Sequence, residues 1–416
     1  MTVRSRARNS ATCREWVRLT LSPAKWLILT LAMLQVGHAQ TKLTVLHRFS
    51  GGPDGGEPFA PLVRDSAGNL YGTTVLGGKY ASGVIFRISP TDTFTPLYSF
   101  TGGNDGAFLY AGLVRDSLGN LYGAASSGGK GGYGTVFELS PSRKLRVLHS
   151  FTDSDGGPPN GVIRDSAGNL YGTASGGISG YGTVFKISST GVFNVLYRFT
   201  GGADGAYPFA PLVLDSKGNL YGTTIAGGST GGNCGSVGCG VVFKLDHAGT
   251  EMVLYSFLGG SDGGNPDTAL VLDSTGNLFG ITPSGGSFSG VCGANGNRGC
   301  GVVFEVDTSN TETALHTFTG QPDGEYPQGG LLLEEAAHTL FGTTNNGGAN
   351  DFGTVFKVDM SSNTETVLHN FTGSGGEYPD AGVIRDKAGN LFSTSSAGGA
   401  SGPTKCCRGI VYRLGK

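Results

Sequence analysis

At 416 residues, with 75 glycines and 14% charged residues, the chain is glycine-rich but has no Gly-X-Y period, which excludes collagen. Its formal net charge is −2, and beyond residue 39 there are 23 Lys plus Arg against 30 Asp plus Glu. That acidic balance argues against nucleic acid as a partner, and against a membrane bound through a basic face, since both reward clustered positive charge.

The first 39 residues stand apart from the rest. Arg4, Arg6, Arg8, Arg14, Arg18 and Lys25 precede the apolar run Trp26 to Leu34, and Gly37-His38-Ala39 puts small residues on both sides of a bulky one. This is the form of a signal peptide with its cleavage site, so 1–39 is expected to be removed, leaving 40–416 as one domain. A transmembrane anchor is the rival reading, but the apolar run is short for a bilayer. The mature chain is expected to be secreted or periplasmic, monomeric and free of the membrane.

After this leader comes Leu43-Thr44-Val45-Leu46-His47-Arg48-Phe49, a strand-like segment with nothing before it to pair with. The chain then settles into a repeat whose aromatic marker falls at Tyr71, Tyr122, Tyr171, Tyr221, Phe279, Phe341 and Phe392. Seven copies at a period near 50 residues make this a repeat protein. Each copy has four apolar segments of four to seven residues, exemplified by AGLVRD, NLYGAA, GTVFEL and LRVLHSF between Ala111 and Phe151. They are rich in Val, Leu, Phe and Tyr and too short for helices, so they read as strands. Asp-Ser-x-Gly-Asn joins the first to the second, with Asp65, Asp116, Asp165, Asp215, Asp273 and Asp386 as turn formers. The second-to-third and fourth-to-first links are longer and glycine-rich.

The chain ends in Gly409-Ile410-Val411-Tyr412-Arg413-Leu414, a third segment with no fourth, just as it began with a fourth segment lacking the first three. The fold expected is therefore all-β: a seven-bladed β-propeller of four-stranded blades, its last blade closed by the N-terminal strand 43–49. An open β-solenoid does not require complementary ends, and tandem small domains would have too little core each.

The motif VLYSFTGGxDGxxPxAGLVxDSxGNLYGTTxxGGxxxxGTVFKL, exemplified by Val195 to Leu245 with an enlarged loop, resembles the tandem repeat of the choice-of-anchor GloVer-containing proteins. The resemblance covers 43–414 and implies an exported bacterial repeat protein of no established activity. Members of that family often end in surface-anchoring signals, whereas this chain stops at Lys416, so release into the periplasm or medium is expected over attachment. The segment order also has a weaker likeness to NHL-type propellers, which include binding scaffolds and a few lyases.

In such a propeller the long links share one face, where function is expected. Asp54, Asp105, Asp155, Asp204, Asp262 and Asp323 recur there, each before Gly, with Gly375 in the seventh copy. Their principal reading is loop-capping hydrogen bonding. Calcium is carried as an alternative, although one Asp per loop supplies few of the oxygens it needs. Phe59, Tyr110 and Phe209, near these Asp residues, suit sugar stacking. His47, His149, His316 and His369 alternate with Tyr98, Tyr197 and Tyr255 and read as partly exposed packing, and Glu334, Glu335 and His338 read as drift in the sixth hairpin. Cys234 with Cys239 and Cys292 with Cys300 are each expected to bridge within a loop, while Cys406 and Cys407 are left without assigned partners. No catalytic residue or cofactor is identified. The chain reads as a binding or structural module for an extracellular glycan or protein. The alternative is a hydrolase or lyase acting on an extracellular polysaccharide from the same face.

Overall fold

The computed structural model describes residues 41–176, 180–289, 292, 298–399 and 408–415. The expected signal peptide and Cys406 and Cys407 lie outside the described residues. The rest is all-β, with three single-turn 3-10 segments, and forms seven antiparallel sheets. Blade 2 shows the plan: strands Val114–Arg115, Leu121–Ala125, Thr135–Leu139 and Leu145–Ser150 pair in sequence order. Blade 6 adds an extra strand, Glu325–Pro327, paired with Thr339–Asn346 beside Leu332–Glu334. Blade 7 takes Ile384–Arg385, Leu391–Ser395 and Ile410–Leu414 from the end of the chain and Leu43–Arg48 from its beginning. The closure predicted from the two end fragments is thus realised, with Thr44 opposite Arg413 and Val45 opposite Tyr412.

The core is not one mass but seven clusters, each shared by two adjacent blades. A Phe after each fourth strand is turned onto the aromatic at the centre of the next blade's third strand. The pairs are Phe49–Phe86, Phe100–Phe137, Phe151–Phe185, Phe199–Phe243, Phe257–Phe304, Phe318–Phe356 and Phe371–Tyr412, with ring centroids 5.0 to 5.3 Å apart. Each such pair adds about 0.5–1.5 kcal/mol beyond the apolar area it buries. This belt makes the ring cooperative, because no blade owns both halves of an interface.

The last glycine of the Gly-Asn-Leu-Tyr-Gly motif follows from this packing. At Gly123 a Cβ would lie 2.7 Å from the Phe137 ring and 2.9 Å from Leu113. The glycine is therefore a place for an aromatic ring, not a turn. Blade 7 has Ser393 there, and it is the blade whose central aromatic is Tyr412 instead of Phe.

Candidate functional site

Every fourth strand carries a β-bulge at one Leu, for instance between the pairs Ile85–Tyr98 and Phe86–Pro96. The same shift recurs in the other six blades. An extra residue re-aims the side chain that follows. Here that side chain is the His or Tyr of the repeat, and it meets the Asp of the fourth-to-first loop. His47, His149 and His316 contact Asp54, Asp155 and Asp323 through Nε2 at 3.1, 3.2 and 3.1 Å. Tyr98, Tyr197 and Tyr255 donate to Asp105, Asp204 and Asp262 at 3.0, 3.0 and 3.2 Å. The His/Tyr exchange is therefore more than the partly exposed packing expected from the sequence. Both side chains keep a polar hydrogen at the same reach, and the seventh member, His369, falls in the copy where Gly375 replaces Asp.

Each of these Asp carboxylates also accepts a backbone N–H at the start of its loop, from Ser50, Thr101, Thr152, Thr200, Leu258 or Thr319. In five copies a Ser or Thr hydroxyl donates as well. All six Asp residues thus cap their loops, each with at least one carboxylate oxygen engaged by protein donors. Among the described residues no group of three or more His, Cys, Asp or Glu side chains is arranged to hold a metal ion.

A second recurrent feature was not legible in the sequence. At one place in the first-strand approach, before Pro in every case but Phe108, the residues Glu57, Phe108, Tyr207, Asn265, Tyr326 and Tyr378 all have φ between 52° and 61°, while blade 3 has Pro158 there. Side chains at positive φ are strained and persist only where the surroundings impose the geometry. Backbone bonds impose it here. Phe108 N–H donates to Ser82 O and Phe108 O accepts from Ser126 N–H, while Tyr207 and Tyr378 are held in the same two-sided way. In blades 4 and 5 the strap is a cysteine, since Cys239 O and Cys300 O accept from Asn265 and Tyr326. Those cysteines close the expected local disulfides, Cys234–Cys239 and Cys292–Cys300.

Two residues beyond this place, whether left-handed or, in blade 3, Pro158, stands one side chain per blade: Phe59, Tyr110, Asn160, Phe209, Asp267, Gln328 and Asp380. Contacts from this series cross between adjacent blades. The Phe59 and Tyr110 rings lie 5.8 Å apart, and Asn160 Nδ2 donates to Pro208 O at 2.7 Å. Tyr110 is 48% and Phe209 44% exposed, and Tyr80, Phe108, Tyr133 and Tyr181 are exposed on the same long links. In this series the aromatics stand on blades 1, 2 and 4 and the polar residues on blades 3, 5, 6 and 7, and the exposed tyrosines of blades 1 to 3 extend the aromatic arc.

Between blades 3 and 4, Asp204 and Glu251 line an open cleft of about 470 Å³. Burial, with Asp204 beside it, pushes the Glu251 carboxyl up to about 7. The arrangement recurs at Glu312 with Asp262 and at Glu365 with Asp323, where burial and the neighbouring carboxylate raise the two Glu residues to about 7 and about 8. Glu251, Glu312 and Glu365 each keep an Oε1 shut from solvent with no hydrogen-bond partner.

The opposite face is built from hairpins. Asp65, Asp116, Asp165 and Asp215 each accept from the Asn backbone, the Asn side chain and the Tyr hydroxyl of their own motif. In blade 6 the residues expected to be drift are ties between blades: Glu334 pairs with Arg385, and Glu335 accepts from Ser274.

The profile of the Gloeobacter/Verrucomicrobia repeat matches residues 32–237 and again 230–407. No curated protein matches the sequence. Among solved structures, the chain is similar to the extracellular domain of the proposed one-component system BT4673 from B. thetaiotaomicron, at 12% identity and a TM-score of 0.55. That match covers 89% of this chain but 41% of the other, so this chain spans about two-fifths of its length. It is also similar to a proposed 6-phosphogluconolactonase from Bacteroides uniformis, at 16% identity and a TM-score of 0.50, covering 80% and 88% of the two chains. At these identities the likeness establishes the propeller fold.

Proposed function

This chain belongs to the Gloeobacter/Verrucomicrobia repeat family, and from that premise we propose that it is an exported binding module that recognises a glycan through its long-loop face. Export rests on the leader-like residues 1–39 and on two disulfides, which persist in oxidising compartments. Recognition rests above all on one observation: the strained turn, recurring in six blades, presents the exposed Tyr110 and Phe209, with Phe59 beside Tyr110. Exposed aromatics on rigid loops mark interaction surfaces. Flat rings suit the apolar faces of sugars, and the polar members of the series, Asn160 among the rings and Gln328 across the face, suit hydroxyl groups.

Binding to an array of bacterial and plant polysaccharides tests this reading. The wild-type protein is expected to bind at least one of them, and the variant Phe59→Ala/Tyr110→Ala/Phe209→Ala to bind it at least tenfold more weakly while melting within a few degrees of wild type. Equal binding by the two would remove the aromatic arc from the site. Binding of no glycan would turn the reading toward a protein partner.

A hydrolase is the second reading, favoured by one observation. Asp204 and the proton-retaining Glu251 share an open cleft, the pairing of a carboxylate with a carboxylic acid that glycoside hydrolysis uses. Recurrence of the same pair at two further blades weighs against a unique active site. Release of reducing ends by the wild type but not by Glu251→Gln would favour hydrolysis.

A further inference from the structure

Between blades 1 and 2, on the hairpin face and so away from the aromatic arc, lies a pocket of about 210 Å³ whose charged lining is entirely basic: Arg87, Arg115 and Arg143. Arg87 stands on the third strand of blade 1 opposite Tyr71, Arg115 on the first strand of blade 2, and Arg143 in the turn after the third strand of blade 2. The Arg115 guanidinium lies over the Tyr71 ring, 5.8 Å from its centroid, and its Nη1 reaches only the Asp116 carbonyl at 3.5 Å. Arg87 and Arg115 each hold Nε shut from solvent with no acceptor. Asp65, the carboxylate that interacts electrostatically with Arg115, already accepts from Asn69 N–H, Asn69 Nδ2 and the Tyr71 hydroxyl.

The equivalent place one blade on is balanced. There Tyr122 has Glu138 on one side and Arg164 on the other, and Glu138 is paired with Arg146. In blade 6, Glu334 neutralises Arg385. Around Tyr71 both flanking positions are Arg, in a chain whose net charge is negative. Guanidinium groups present fixed N–H forks that match oxyanions, and buried donors without acceptors are expensive unless something accepts from them.

We propose that this pocket binds an oxyanion, with Arg87, Arg115 and Arg143 as its donors and Ser140 at its rim. Its size admits an inorganic anion or the charged substituent of one sugar unit, not a large cofactor. The carboxylate of a uronic acid and a free phosphate share the required chemistry.

Titration calorimetry on the full mature chain, with inorganic phosphate, glucuronate and glucose at matched ionic strength, tests the assignment. Saturable binding of phosphate, glucuronate or both is expected, with none for glucose. Glucuronate alone would identify a sugar-borne carboxylate as the ligand, and phosphate alone a free anion. Arg87→Gln should weaken binding at least tenfold. Arg143→Asn, which keeps a residue suited to the left-handed turn and lies outside the sheets, should weaken it several-fold with an unchanged melting temperature. No saturable binding of either anion, or binding unchanged in Arg143→Asn and Arg87→Gln, would overturn the proposal. Loss of this site leaves the glycan reading of the other face untouched, since that reading depends on Phe59, Tyr110 and Phe209.

Discussion

Glu251, Glu312 and Glu365 lie at the start of the fourth strands of blades 4, 5 and 6, in the position that is Phe94, Leu145 and Phe193 in blades 1, 2 and 3. In blades 1 and 3 the apolar residue stacks on the His of the preceding blade, as Phe94 does on His47 at 3.9 Å and Phe193 on His149 at 3.7 Å. Putting Glu there buries a carboxyl beside an Asp, so burial and then repulsion hold it protonated. For an acid whose folded pKa is raised, the stabilising contribution is complete below its ordinary value near 4.5 and is lost as pH rises through 7 to 8. The histidines act oppositely: burial lowers His47, His149 and His369, so charging them as pH falls costs stability. A Glu251→Gln/Glu312→Gln/Glu365→Gln variant isolates the first effect. Its melting temperature should match wild type near pH 5 and exceed it increasingly toward pH 8.5, and a difference independent of pH would contradict the assignment. At this scale the sequence showed the capping role of Asp54 and its counterparts, because the spacing to Gly is local. The link to His or Tyr was hidden, because it depends on a bulge that no residue type announces. The strained turns were hidden as well, since Glu, Phe, Tyr and Asn at positive φ leave no compositional mark.

The strand Leu43–Arg48 and the Phe49 that follows carry the closure. Leu46 and Phe49 are buried with Phe392 and Val411 of blade 7 and with Leu70 and Phe86 of blade 1, so this one segment serves both the last blade and the first interface. Phe49 N–H also donates to Gly409 O. Removing the segment would strip two buried side chains, each worth about 2–5 kcal/mol, and expose the edge of Ile410–Leu414 for pairing with another chain. A chain beginning at residue 50 is therefore expected to melt at least 10 °C below one beginning at residue 41 and to elute as aggregates in gel filtration. Equal stability and a single monomeric peak would show that the ring does not need this strand. The element was legible because its ends are complementary: a fourth segment first and a third segment last require each other. The extra strand of blade 6 was not, since Glu325-Tyr326-Pro327 looks like its counterparts in other blades and gains its pairing with Thr339–Asn346 from that longer neighbour.

The whole molecule has two unlike faces because the four links of each blade alternate in length. The hairpin face is knit by motif-internal bonds of Asp, Asn and Tyr and carries the Arg87, Arg115 and Arg143 pocket. The long-loop face is shaped by the left-handed turns, strapped by two disulfides in blades 4 and 5, and edged by exposed aromatics over blades 1 to 4. The seven ring-to-ring contacts join these parts into a rigid body, so recognition has little ordering to offset on the protein side. The central claim is that the long-loop face is the recognition surface. Hydrogen–deuterium exchange, compared with and without a polysaccharide that the protein retains, addresses it most directly. The account predicts slowed exchange in 50–60, 101–112 and 200–211, with the hairpins at 64–70 and 115–121 unchanged. Protection confined to those hairpins, or spread evenly over the chain, would contradict it.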